Sequence, residues 1–259
     1  MSRLDRFPQF AVLALLALGL AAPAAVAQDS APTPFTYVAE WNIARDQWQG
    51  FNEWAMKNHK PILERLSADG ALLDWGFYET YVHEEGSNTH GLWWSSATFA
   101  GIERARAALL KAPFHPASAS GAHHDYLLRT AAGATRSGAT AGGFLYVNRQ
   151  ELRPGQGKAW REMWDQQTKP VLDEMVAKGA VASYGIQYED VHTASNAYRY
   201  LFTVSTSPEA EDEIEAAYAA ARAKLSDAEG QAMGRINRDL TVPESHRDYM
   251  ARITAAWFK

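Results

Sequence analysis

The chain has no cysteine in 259 residues. That absence excludes a disulfide-stapled scaffold, a paired-cysteine zinc or redox site, and a lipid anchor attached through a cysteine behind a leader. Charged residues make up 21% of the chain, and acidic ones outnumber basic ones for a formal charge of −5. No basic cluster stands out, which argues against a nucleic-acid or anionic-membrane surface. A Gly-rich phosphate loop, a nucleophile elbow and an HExxH helix are all missing. So is any run of about 18 consecutive apolar residues. What is there is a hydrophobic share of 47%, ordinary for a packed core, and an excess of tryptophan, nine in all.

The N-terminus reads as an address. Arg3 and Arg6 precede an apolar stretch from Phe10 to Ala22, Pro23 ends it, and Ala25-Val26-Ala27 supplies a small-x-small cleavage pattern. This is the three-part layout of a secretory signal peptide over residues 1–27. The stretch is short of the about 20 residues needed to span a bilayer. The expectation is a periplasmic or secreted protein with no membrane segment after cleavage, stabilised by its core alone.

The remainder repeats itself. An offset of 109 positions aligns residues 35–98 with 144–207 without a gap, and about 16 of the 64 pairs are identical. Phe35/Phe144, Tyr37/Tyr146, Lys60-Pro61/Lys169-Pro170, Gly76/Gly185 and Val82-His83/Val191-His192 anchor the match. A second offset, 123, pairs His124-Asp125-Tyr126 with Arg247-Asp248-Tyr249, so the second copy carries an insertion.

Each copy shows the same succession of patterns. Alternating apolar residues mark strands at 35–43 and 144–152, then 71–83 and 180–192, then 90–98 and 198–206, and lastly 125–131 and 248–256. Helical spacing appears at 47–69 and 156–178, followed by Gly70 and Gly179, where a helix end favours a residue tolerant of positive φ. The Lys-Pro pairs imply a kink or two short helices, either following a curved sheet or baring carbonyls at a pocket. Second helices start behind Thr98 and Ser207, both suitable N-caps. The insertion opens with Ser226-Asp227-Ala228-Glu229, the spacing of a capping box. Between the copies, 132–143 is rich in Gly, Ala, Ser and Thr and reads as a flexible linker.

Strand–helix–strand–strand–helix–strand is the ferredoxin-like split unit. Both faces of these strands carry apolar residues, whereas helices can cover only one. The fold class expected is therefore α+β: two ferredoxin-like βαββαβ repeats, 35–131 and 144–256, packed as one fused α+β barrel. In this order of elements and its repetition the chain resembles the dimeric α+β barrel superfamily. That group includes stress-responsive barrel proteins, EthD-like proteins, antibiotic-biosynthesis monooxygenases and chlorite-dismutase-like haem proteins. In most of them two chains form the barrel; here both halves are joined. No catalytic signature of one branch can be carried over residue by residue, and the oligomeric state is left open.

Two sets of residues stand out as site candidates. His83 and His192 end the second strands near Tyr81 and Asp190, and a histidine beside a carboxylate can act as a general base. Retention in both copies speaks instead for a structural part such as capping a turn. Six tryptophans fall in the first copy, where the second has Gln150, Gly157, Met163, Tyr184, Phe202 and Thr203. Indoles suit a broad apolar cavity, so Trp41, Trp54, Trp75 and Trp93, with His59, Tyr78 and His83, are the expected lining; one aromatic core is the competing reading. Because some members of the superfamily bind haem, His59 is the residue to examine as a proximal ligand. His115, His123, His124 and Asp125 match no zinc spacing, and no metal site is expected.

The functional expectation is binding of a small apolar or aromatic molecule, with cofactor-independent conversion as its extension. The alternatives are a haem- or metal-dependent oxidoreductase of the same superfamily, and a structural periplasmic module without a ligand.

Overall fold

Alternating apolar side chains along FTYVAEW form strand β1 (Phe35–Trp41). After a 3-10 turn at Arg45–Gln47 come α1 (Trp48–Asn58), α2 (Lys60–Ala68), β2 (Asp74–Thr80), β3 (His90–Ser96), α3 (Phe99–Leu109), a single helical turn α4 (Ala117–Ser120) and β4 (His123–Thr135). A short β5 (Gly138–Thr140) leads to β6 (Phe144–Glu151), α5 (Gly157–Gln167), α6 (Lys169–Lys178), β7 (Val181–Glu189), β8 (Tyr198–Ser205), α7 (Pro208–Arg222), α8 (Asp227–Leu240) and β9 (Arg247–Phe258). The structure is a computed structural model that describes residues 33–259 apart from positions 121 and 194. The expected signal peptide, 1–27, lies outside the described residues. Among those described, no helix is long and apolar enough to cross a membrane.

Local signals account for the helix boundaries. Pro61 and Pro170 sit in the first turn of α2 and α6, where a missing N–H breaks no helical bond. The expected kinks are thus separate short helices that meet at His59 and Thr168. Thr98 Oγ1 accepts from Gly101 N at 3.1 Å, and Ser207 Oγ accepts from Ala210 N at 3.2 Å. Gly70 and Gly179 take φ of 72° and 86°. Ser226 and Glu229 cap each other: Ser226 N donates to Glu229 Oε2 at 2.7 Å and Glu229 N to Ser226 Oγ at 3.3 Å.

Eight strands follow one another in the order β2-β3-β1-β4-β7-β8-β6-β9, and a β2–β9 pairing closes the ring. All neighbours run antiparallel. In each half the fourth strand lies beside the first, then the third, then the second. The halves join at β4–β7 and β2–β9, so no strand edge of the ring is left bare.

Two expectations about extent are corrected. The linker 132–143 is largely sheet, because β4 continues to Thr135 against β7 and β5 pairs with the end of β9. Small residues do not favour strands by themselves, but a tertiary partner offering a ladder overrides that. The second strands are also shorter than 71–83 and 180–192; they end at Thr80 and Glu189, leaving Tyr81, His83, Asp190 and His192 on turns.

Four apolar clusters result among the described residues, the smallest made of Ile43, Trp48, Phe51 and Ala117. One lies between the sheet and α1–α3, with Leu63, Leu66, Trp75, Phe77, Leu92, Trp94 and Ile102. Its counterpart under α5–α7 contains Trp160, Trp164, Leu172, Met175, Tyr184 and Ile214. The third is the barrel lumen, with Tyr78, Trp93, Leu145, Val147, Val204, Ile253 and Phe258. Inside it two rings lie over two glycines. A Cβ on Gly76 would fall 2.0 Å from the Trp93 ring, and one on Gly185 would fall 2.8 Å from the Phe202 ring.

Candidate functional site

Strand parity divides the expected lining. Successive side chains of a strand point to opposite faces, so Trp75 and Tyr78, three apart on β2, cannot share one. Trp41, Trp54, His59 and Trp75 lie on the outer face beneath α1 and α2, while Tyr78 and Trp93 point into the lumen. Trp41, Trp54 and His59 belong to a filled core, whereas Trp75 borders an open groove. Trp41 stacks on His123 at 5.3 Å, and Trp54 meets the His59 ring at 4.4 Å while its Nε1 donates to Pro113 O at 3.0 Å. The gap left among Trp41, Phe51, Trp54, His59 and Leu92 has a volume of about 10 Å³, room for one water.

Haem therefore does not fit at His59. A macrocycle is several times wider than a water molecule, whereas the gap beside His59 holds about 10 Å³ and the Trp54 indole packs against the imidazole at 4.4 Å. Burial holds the His59 pKa down to about 4, so the ring is neutral at ordinary pH.

The histidine pair is on the surface. Tyr81 is exposed and packs its ring edge on Phe144 at 5.3 Å; His83 touches the edge of Trp48 at 5.2 Å. Asp190 does not serve His192: its Oδ1 accepts from Arg129 Nε at 3.0 Å. His192 stands exposed on the turn after β7.

A different constellation forms at one mouth of the barrel. Because the ring is antiparallel throughout, the C-terminal ends of β1, β2, β6 and β7 meet the N-terminal ends of β3, β4, β8 and β9 there. In register, Glu40 lies opposite His124 and Gly91, Tyr78 opposite Gly91, and Arg149 opposite Tyr200. Glu40 accepts from Tyr78 Oη at 2.6 Å through Oε1 and from Asn88 Nδ2 at 2.8 Å through Oε2. Across the mouth, Glu189 accepts from Tyr200 Oη at 2.5 Å and from Thr193 N at 2.6 Å. The Tyr126 ring stands between them, 4.1 Å from His124 and 6.1 Å from Tyr200. The Arg149 guanidinium lies 4.7 Å from the Tyr198 ring.

Two polar atoms in this ring are buried and have no partner among the described residues: Arg149 Nε and His124 Nε2. Leaving a buried polar nitrogen unmet costs about 1–3 kcal/mol, so both atoms favour a hydrogen-bonding partner at this mouth. Beneath it the floor is apolar, with Val38, Trp93, Val147 and Phe202. Val38, Tyr126, Tyr200 and Phe202 face inward yet are only partly buried.

Burial sets the charge states. It raises the pKa of Glu40 above the usual carboxylate range, against the pull of the Tyr78 and Asn88 donors and of nearby His124. Burial and then neighbouring carboxylates push the Tyr78, Tyr126, Tyr200 and Tyr249 hydroxyls up, Arg149 opposing this for Tyr126 and Tyr200. The phenols stay protonated and act as donors. Arg149, held over an aromatic face, is the fixed cation of the ring.

Of this site the sequence singles out Tyr78 and Trp93 as lining, and His124 only within a histidine cluster that matches no zinc spacing. Glu40, Tyr126, Arg149, Glu189, Tyr200 and Tyr249 were missed, yet the repeat held a signal. Glu40 and Arg149 occupy matched positions under the 109 offset with opposite charge, and Tyr126 and Tyr249 match under the 123 offset.

No family model matches the chain, and no curated protein does. Solved structures do match in fold. A provisionally assigned monooxygenase from Lactobacillus acidophilus NCFM superimposes with a TM-score of 0.59 at 10% identity, covering 87% of this chain and 96% of that one. Another from Fusobacterium nucleatum subsp. nucleatum gives 0.60 at 8%, covering 88% and 95%. An anthrone oxidase-like protein gives 0.50 at 11%, covering 88% and 93%. The chain thus has the α+β barrel fold of these monooxygenase-like proteins. At such identities the likeness speaks for the fold alone.

Proposed function

We propose that this is an exported, single-chain α+β barrel whose lumen mouth binds a small, largely aromatic molecule carrying an acidic or carbonyl oxygen. The observation that carries this reading is the pair of buried nitrogens without a partner among the described residues, Arg149 Nε, which donates, and His124 Nε2, which donates in the tautomer that suits an oxygen, above an apolar floor. The ligand's oxygen meets Arg149 and His124 while its rings rest on Trp93 and Phe202. Glu40, whose carboxyl sits above its usual range, is the group able to exchange a proton with the ligand, and Tyr78 returns a hydrogen bond to whichever form it takes. Conversion without a cofactor is the extension of that role.

The same reading treats the barrel as two fused ferredoxin-like units, 35–131 and 144–256, which the shared strand order supports. Release after Ala27 into the periplasm or medium belongs with it; mass spectrometry of the mature protein should find Gln28 at the N-terminus. The decisive experiment is titration of Trp93 fluorescence with aromatic acids and ketones. Quenching in the wild type that is lost in Arg149→Met supports the site. Identical curves for the two proteins, or no quenching with any ligand, would leave a structural module as the better account.

A further inference from the structure

A second cavity lies outside the barrel, where β5 and the end of β9 emerge from under α2. Its volume is about 640 Å³, and its wall is made of Ser67 and Ala68 on α2, Trp75 on β2, Ala139 on β5 and Trp257 on β9. Ala139 and Ala141 are exposed, so it opens to solvent on the β5 side. The space exists because the residues facing it are small: Ala68, Ala139, Ala141 and Ala255. Two of its walls hold a buried polar atom without a partner among the described residues, Trp75 Nε1 and Ser67 Oγ.

The corresponding place in the other half has its polar groups paired. Under the same offsets Trp75 becomes Tyr184, Glu64 becomes Asp173, Lys60 becomes Lys169 and Ser67 becomes Val176. There the Tyr184 hydroxyl donates to Asp173, which also accepts from Lys169 Nζ at 2.6 Å, and Val176 has no polar atom to satisfy. In the first half Lys60 and Glu64 pair at the rim, 2.6 Å apart, and neither reaches the indole. One fold thus has two solutions at one position: a satisfied phenol, and an indole donor beside an open space.

We propose that this outer groove is a second binding site, distinct from the lumen mouth, for a small apolar molecule bearing one carbonyl- or carboxylate-type acceptor. The acceptor takes the Trp75 Nε1 hydrogen and that of Ser67 Oγ, because an indole can only donate. The apolar body lies against Trp257 and the alanine wall, and Lys60 at the rim favours an acceptor that is anionic.

The test uses the mature protein carrying ¹⁵N-labelled tryptophan, titrated with 1-naphthoate and, separately, naphthalene. The Trp75 indole resonance, assigned by its loss in Trp75→Phe, should move with 1-naphthoate, and naphthalene should bind roughly tenfold more weakly for want of the acceptor. Trp93 reports the lumen in the same spectra. Ala139→Leu fills the groove from an exposed strand without touching either donor; it should abolish the Trp75 shift and leave that of Trp93 intact. A Trp75 resonance that stays still while 1-naphthoate saturates Trp93, or that moves equally in Ala139→Leu, overturns the proposal without bearing on the lumen site. Should Trp75→Phe fail to fold, Trp75→Tyr, the residue at the matched position 184, assigns the resonance by its loss, and Ser67→Ala must weaken 1-naphthoate several-fold.

Discussion

Residues 35–135 and 144–258 build one arrangement of strands and helices from two sets of side chains. Where the first half puts Trp93 over Gly76, the second puts Phe202 over Gly185. Where the first half buries the carboxylate Glu40, the second places the cation Arg149. Matched positions that keep their identity, such as Pro61/Pro170 and Val38/Val147, hold backbone and lumen shape. Those that diverge carry the polar chemistry of the mouth and of the outer groove. The second copy pairs in tyrosine–carboxylate bonds what the first leaves as indoles among small residues.

The largest expected effect tests the shared part of this comparison. Gly76→Ala forces the Trp93 ring off its seat and should destabilise the barrel by about 3 kcal/mol, seen as a lowered midpoint in urea. Gly185→Ala, pressed by both Phe202 and the Ala132 carbonyl 2.6 Å away, should cost at least as much. If either is neutral, the rings do not pin the lumen.

Next comes the divergent pair. Arg149→Met should weaken an aromatic carboxylate in the lumen by roughly ten- to a hundredfold, the range for a charge-assisted bond, as measured by Trp93 quenching. Glu40→Gln should change the same affinity by less than fivefold, because Tyr78 and Asn88 can still bond the amide, about the scale of one neutral hydrogen bond. Equal losses would erase the distinction between the two positions.

Acid sensitivity should sit in the first half. His59 and His90 are both held by burial at about 4, below their ordinary 6.5, where the second half has Thr168 and Arg199. An unfolded chain takes up these protons below pH 6.5 and the folded one does not, so stability falls as pH drops from 6.5 to about 4. Asp74, raised by burial from 3.8 to about 6, acts the other way: its contribution weakens as pH rises from about 4 to 6. Urea melts across this window should show a shallower acid loss in His90→Gln and a steeper one in Asp74→Asn.

The smallest effect is Tyr184→Phe, which frees Asp173 from one donor and should cost about 1 kcal/mol. Asp173 keeps Lys169, so a much greater loss would mean that the second half is held together at this point rather than merely paired.

Much of the fold could be read in the sequence. Thr98, Ser207 and Ser226 cap helices where side-chain chemistry demanded, and Pro61 and Pro170 break them. These are local signals, fixed by groups a few residues apart. The tryptophans were a less certain guide. Trp41, Trp54 and Trp75 are large apolar side chains in either setting, and composition does not say which face of a strand meets the helices.

The sequence by itself determined the repeat, the succession of elements and the helix ends, because those depend on periodicity and on neighbours along the chain. Its lack of cysteine and its tryptophan excess bounded what could hold it together. Tertiary structure alone decided which face became the lumen, that 132–143 joined the sheet, and that Glu40, His124, Arg149 and Glu189 share one mouth. The reason is physical: those residues lie far apart in the chain, and only closure of the ring through β4–β7 and β2–β9 sets them facing one another.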